Sequence, residues 1–247
     1  MRVTLDSNAW EAIFDEARVD MAPLRTAFAN GLLKGFICAS AFRIEAIRKA
    51  DRPAYFQQPY TASDFGLVLH EGRPMLKMSF GPDDSRHPGL PPQQKQKLDC
   101  AFRAGVKLIR GGAWMGLPSP QEIGDPNLYE SESPEAARGR EQREIDAFYQ
   151  IEQRGVGKAA FDAADGWEVK DRSPAEARRL SAACAEWADA ETVSAHIAYQ
   201  NNALCTDDRG RNAGASVLDE PNRAWLASTY GVRFLTVREL ATAAAGL

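Results

Sequence analysis

Short apolar runs alternate with longer stretches of helical periodicity along this chain. Residues 3–5 predict a strand, stopped by Asp6-Ser7-Asn8. A helix over 9–18 follows, with Ser7 or Asn8 as its cap. Leu24, Phe28 and Leu32 fall at helical spacing behind Pro23 and predict a helix over 23–33. Residues 36–39 predict the next strand. Ser40 caps a helix through Ala50 that carries Glu45, and Asp51-Arg52-Pro53 stops it.

From Tyr55 to about Pro92 the chain changes character, with Pro, Gly and aromatic residues throughout. Two strand-like runs, 65–69 and 75–80, flank a hairpin turn over 70–74. Gly81-Pro82-Asp83-Asp84 and Pro88-Gly89-Leu90-Pro91-Pro92 read as loops. A helix over 93–104, a strand over 106–109, an irregular stretch over 111–134 and a charged helix over 134–154 come next. Ser173-Pro174 opens a long Ala-rich helical region to Asn201, with a break expected near Asp189. The chain closes with a strand over 203–205, a loop over 207–219, a helix over 221–230, a strand over 232–235 and a helix over 237–245. Alternating strands and helices predict a three-layer α/β/α fold around a central, mainly parallel sheet. Residues 1–247 read as one domain, with 55–180 as insertion and extra helices.

No apolar stretch is long enough to span a bilayer, so no membrane partner is expected. The N-terminus begins a strand at once and does not read as a signal peptide. Cys38, Cys100, Cys184 and Cys205 are scattered without a CxxC pair. They read as small core residues of a reduced, cytoplasmic protein. The net charge of −4 gives no global attraction for nucleic acid, so polyanion binding needs a local basic patch.

Four acids change this picture. Asp6 and Asp208 follow apolar strands, Glu45 lies one helical turn past another, and Asp189 is expected to open the helix leading to 203–205. Carboxylates beyond strand ends sit where open α/β sheets place ligands. Converging carboxylates repel one another, and a divalent cation relieves that repulsion. Mg²⁺ or Mn²⁺ suits such oxygen ligands and can polarise a phosphoryl oxygen and acidify water. Taken singly, each acid has a plainer role: Asp6 as a helix cap, Glu45 as a solvated helix residue, Asp189 as a first-turn Asp, Asp208 as a loop residue. The order and context of all four carry the metal reading.

These segments resemble the PIN-domain ribonucleases. That family has a strand ending in Asp-(Thr/Ser)-Asn, here Leu5-Asp6-Ser7-Asn8. A Glu follows on the helix after the next strand, here Glu45. Later an Asp opens a helix of small and apolar residues, here Ala188-Asp189-Ala190, and a strand ends in Thr-x-Asp, here Thr206-Asp207-Asp208. The matched segments lie at both ends of the chain. The interval between Glu45 and Asp189 is far longer than in small toxin members, and His196 and Tyr199 stand where small or aliphatic residues are common. The resemblance implies a PIN-like fold and an endoribonuclease in which Asp6, Glu45, Asp189 and Asp208 hold one or two Mg²⁺ or Mn²⁺ ions. A metal-activated water would cut RNA to a 5′-phosphate and a 3′-hydroxyl, with Asn8 and Thr206 orienting carboxylates or phosphate. RNA is the implied partner, and a cognate antitoxin protein and a homodimer are compatible with it.

Neighbouring residues compete for these roles. Glu191 points to a different helix face from Asp189, and Asp208 returns to the Thr206 side of the chain where Asp207 does not. Arg43, Arg48, Lys49 and Arg52, with Arg209 and Arg211, form either a basic rim or an ordinary solvated surface; Arg43 and Arg209 are the candidate substrate contacts. His196 reads as a packed or hydrogen-bonded helix residue, and His70 and His87 as loop residues. Trp114, Trp167, Trp187 and Trp225 read as core or interface anchors. A phosphatase of the haloacid-dehalogenase type would need Asp at the position of Asn8. A scaffold that binds RNA or a protein without cutting is the non-enzyme alternative.

Overall fold

Val3 and Leu5 face one side of the first strand and Thr4 the other, and all three are buried. Burial on both faces is the signature of a parallel strand covered by helices above and below. The structure is a computed structural model that describes residues 1–48, 50–56, 61–70, 73–81, 88–112, 119–164, 172–210 and 215–246. Residues 71–72 of the expected hairpin turn, the loop signals at 82–84, Lys49, His87, Trp114, Trp167 and Arg211 lie outside the described residues.

Strand β1 (Arg2–Leu5) leads into α1 (Ser7–Ile13), α2 (Ala22–Ala29), β2 (Lys34–Cys38), α3 (Phe42–Glu45) and α4 (Arg52–Phe56). An antiparallel hairpin, β3 (Thr61–His70) and β4 (Arg73–Gly81), forms a two-stranded sheet of its own. Then come α5 (Pro92–Arg103), β5 (Lys107–Ile109), α6 (Pro134–Gln153), α7 (Lys158–Asp162) and α8 (Pro174–Ala198). The chain ends with β6 (Ala203–Cys205), α9 (Glu220–Tyr230), β7 (Phe234–Leu235) and α10 (Val237–Ala245).

The main sheet has the order β5-β2-β1-β6-β7, and every pairing is parallel. Thr4 stands opposite Phe36 on one side and Leu204 on the other. One face carries Val3, Leu5, Ile37, Leu108, Ala203 and Cys205 and packs on Trp10, Phe28, Leu98 and Leu240 from α1, α2, α5 and α10. On the other face Leu204 meets Trp187 and Val193 of α8, and Phe36, Cys38 and Ile109 meet Ala195 of the same helix. The result is an α/β fold with helices on both sides of a five-stranded parallel sheet. β5, from the middle of the chain, takes an outer place beside β2, and α4, α6 and α7 pack on α8. No helix among the described residues is long and apolar enough to cross a membrane.

Three local expectations need correction. Helix α1 starts at Ser7 with Asp6 as its cap, not at Ala9. It stops at Ile13 because Arg25 Nη1 takes the carbonyls of Ile13 (2.7 Å) and Asp15 (3.0 Å). The helix expected through Ala50 ends at Glu45. Asp51 N turns back to the Arg48 carbonyl (2.8 Å) and Arg52 Nε takes the Ile47 carbonyl (2.9 Å), and Arg52-Pro53 starts α4 instead of only stopping a helix. Helix α8 does not break at Asp189. A Ser173–Glu176 capping box opens it, and no Gly or internal Pro interrupts it, so Asp189 lies well inside. Helix α7, absent from the sequence reading, begins after Gly157, whose φ of +65° suits glycine.

Candidate functional site

Chain order makes the site. From β1 the chain moves outward to β2 and β5, then returns to the other side of β1 with β6 and β7. The direction reverses between β1 and β6. In parallel sheets the crevice beyond the carboxyl ends at such a point is where ligands bind. Asp6 ends β1, and Thr206 to Asp208 follow β6.

Asp6 is buried and fully engaged. Its Oδ1 accepts from Ser7 N (2.8 Å), and its Oδ2 from Asn8 Nδ2 (2.7 Å) and Thr206 Oγ1 (2.6 Å). Asn8 also spans the two strand ends, because its Oδ1 accepts from Asp207 N (2.8 Å) and its Nδ2 reaches Thr206 Oγ1 (3.1 Å). The sequence placed Asn8 and Thr206 beside the acids, and the geometry brings both onto Asp6. Burial holds the Asp6 carboxyl above its ordinary value; its three hydrogen bonds oppose the shift and the Asp208 charge adds to it. Asp6 is therefore both the helix cap of the plainer reading and a member of the acid group.

Glu45 accepts a short hydrogen bond from Ser7 Oγ, which ties the β2 side of the crevice to the start of α1. Asp189, half-buried on α8, differs from its neighbours. No described residue donates a hydrogen bond to its carboxylate. Burial pushes its carboxyl well above the usual range, followed by the charges of Asp6, Glu186, Glu45 and Asp208. The other three acids from the sequence thus act on Asp189, and Asp208 acts on Asp6. Glu191 is completely buried, so Asp189 is the α8 acid that faces the group.

Asp207 and Asp208 part ways. Asp207 Oδ1 accepts from Val237 N at the start of α10 (3.1 Å), away from the crevice. Asp208 hangs its backbone N on Thr206 Oγ1 (3.1 Å) and turns its Oδ1 onto Gly210 N (2.8 Å), and its charge reaches both Asp6 and Asp189.

Three charged residues gain weight from the structure. Glu186 lies three residues before Asp189 on α8 and accepts from Val217 N (3.2 Å). Burial first, then the Asp208 and Asp219 charges, act to raise its carboxyl. The i, i+3 spacing from Asp189 was a readable signal for it. Arg223 of α9 donates through Nη2 to the Asp208 carbonyl and through Nε to the Leu218 carbonyl (2.7 Å); nothing local in the sequence points to it. Arg52, only a rim candidate in the sequence, is buried, and its charge is felt at Glu45 and Asp189.

The two candidate substrate arginines are separated. Arg209 is exposed beside Arg223 and Glu239 at the β6 side of the crevice. Arg43 is half-buried, and its charge acts on Tyr129, towards β5.

Other sequence candidates settle into structure. His196 Nδ1 meets Thr4 Oγ1 at 2.9 Å inside the core, and Trp187 packs between Phe148 and Phe161. The four cysteines are buried and free. A cavity of about 540 Å³ beside β5 has Lys107, Arg110 and Arg140 in its wall, but Arg140 is already paired with Glu132, Glu141 and Glu144.

Among the described residues no three His, Cys, Asp or Glu side chains stand close enough to form a ready metal cage. The donor set nevertheless fits a hard dication: every member is a carboxylate, and no described residue donates a hydrogen bond to Asp189. No protein-family model, curated protein or solved structure matches this chain.

Proposed function

We propose that this chain is a metal-dependent endoribonuclease of the PIN type, acting on RNA phosphodiesters through Asp6, Glu45, Asp189 and Asp208. The observation that carries the reading is Asp189: a half-buried carboxylate to which no described residue donates a hydrogen bond, raised by burial and by the charges of the other three. A group left in that state is unfavourable unless a cation completes it. The position of Asp6 and Asp208 just past β1 and β6, where the strand order reverses, supports a ligand-binding role independently.

Mg²⁺ or Mn²⁺, held by these four acids, would supply Lewis-acid polarisation of the phosphate and a more acidic water. The chain's own groups do the positioning. Thr206 and Asn8 fix Asp6 from both strand ends, Ser7 fixes Glu45, and Gly210 N fixes Asp208. The Arg223 guanidinium holds the carbonyl of Asp208 and so the loop that presents it.

The test is cleavage of single-stranded RNA by the full chain with Mg²⁺ or Mn²⁺, with EDTA and Asp6→Asn as controls. Metal-dependent cleavage that Asp6→Asn abolishes supports the reading, and full activity in Asp6→Asn overturns it. The lack of a ready cage favours one second reading, a PIN-like scaffold that binds RNA without cutting. RNA binding with no cleavage under any divalent cation would select it.

A further inference from the structure

Some arginines of this chain spend several donors on structural contacts. Arg140 is the clearest case: Nε goes to Glu132 (3.0 Å), Nη1 to Glu144 (2.8 Å) and Nη2 to Glu141 (3.4 Å). Arg25 places Nη1 on the Ile13 carbonyl and Nη2 on the Arg18 carbonyl (3.1 Å). Arg52 is different. It is 8% exposed, and its Nε donates to the Ile47 carbonyl at 2.9 Å. No described residue accepts from its two Nη groups.

Neither Nη atom is among the buried side-chain atoms left without a partner, so both reach solvent while most of the side chain is covered. A turn cap alone does not explain it, since a smaller donor could cap Ile47. Helix α4, which Arg52 starts, packs on α8, the helix of Asp189, and the Glu45 and Asp189 charges act on the guanidinium; together these put the side chain on the α3–α4 side of the acid group. A carboxylate with no donor and a guanidinium with spare donors lie near one another without a direct hydrogen bond. A dication on the first and an anion on the second would satisfy both.

We infer that Arg52 is a phosphate-gripping residue of this site, fixed through Nε on Ile47 and offering its Nη groups to the non-bridging oxygens of the RNA phosphodiester held at Glu45 and Asp189. Guanidinium suits this task because its planar fork matches two phosphate oxygens. The assignment rests on the ribonuclease reading and names the group that holds its substrate.

The experiment compares Asp6→Asn, which blocks cleavage, with Asp6→Asn/Arg52→Gln. Binding of a short fluorescent single-stranded RNA is followed against salt, and Mn²⁺ affinity is measured by calorimetry. Loss of one phosphate contact should weaken RNA binding about tenfold and reduce the log–log salt slope by about 0.7. Mn²⁺ binding should tighten, because a cation beside Glu45 and Asp189 has gone. A misfolded variant would weaken both, so opposite signs separate gripping from structure. Unchanged RNA binding, or joint loss of RNA and Mn²⁺ binding in a chain of unchanged melting temperature, overturns the assignment. If Arg52→Gln does not fold, Arg52→Lys decides: it keeps the charge and loses the fork, and RNA binding equal to the parent's overturns the assignment. Failure of the ribonuclease reading shows first in the unmutated chain, as no cleavage. If RNA binding is absent there too, the Arg52 assignment falls with it.

Discussion

Thr206 Oγ1 donates a 2.6 Å hydrogen bond to Asp6 Oδ2 across 200 positions of the chain. The same hydroxyl oxygen accepts from Asp208 N at 3.1 Å. One buried side chain therefore sets two acids that come from adjacent parallel strands. Thr206→Val keeps the shape and removes both bonds, along with the one Oγ1 accepts from Asn8 Nδ2. It should destabilise the fold by about 2 kcal/mol, through an unpaired amide and a less supported carboxylate. Metal affinity should fall as well. Urea denaturation and a Mn²⁺ titration check the pair of effects.

Asp189→Asn should make the metal-free chain more stable at neutral pH. The Asp189 carboxyl is raised above its ordinary 3.8, so the folded chain keeps this proton longer than the unfolded chain does. That contribution is full below 3.8 and is lost as pH rises through the folded value. At neutral pH the ionised group is a burden, and the amide removes it. Mg²⁺ or Mn²⁺ should raise the melting temperature of the parent and leave that of the variant unchanged. A lower metal-free melting temperature would show that Asp189 is stabilised by something other than a bound cation.

Asp208→Asn should weaken Mn²⁺ binding more than Asp207→Asn does. Asp208 acts on Asp6 and Asp189, whereas the Asp207 carboxylate is occupied at Val237 N. Asp207→Asn should instead loosen the start of α10, by about 1 kcal/mol. Calorimetric titration of both variants gives the ranking directly.

His196 should impose an acid limit on stability. Burial lowers its pKa from 6.5 to about 4, and its neutral ring meets Thr4. The unfolded chain takes up the proton first, so this contribution is present above 6.5 and lost as pH falls through about 4. The loss near pH 4 is roughly 3 kcal/mol. Subtracting the pH profile of His196→Gln from that of the parent should isolate it.

Gly210→Ala should damage the site without touching an acid. Gly210 has φ of +63°, and a Cβ there would lie 2.8 Å from Asp219 N and from Ser216 Cβ. Its own N supports Asp208 Oδ1. Strain and overlap together should cost about 2 kcal/mol, and Mn²⁺ affinity should drop alongside. Retained affinity would mean that the Asp208 turn does not depend on this glycine.

Periodicity and punctuation determined much of this protein on their own. The apolar runs at 3–5 and 203–205 and the Ser173-Pro174 start are local signals, and the structure contains the strands and the helix they predict. Asp6 and Asp208 were readable as residues just past the strands at 3–5 and 203–205, whereas the helix start expected at Asp189 is absent, because α8 runs unbroken through it. Strand order was not readable, since it depends on which apolar faces meet once all the elements exist. That order puts Asp6 next to Thr206 and opens the crevice between β1 and β6. Tertiary contacts also overrode local propensity, where Arg25 closed α1 and Arg52 helped to close the turn after Glu45. They gave Asp207 its partner at Val237 and brought Arg223 to Asp208, because hydrogen-bond partners far along the chain decide where a polar side chain rests.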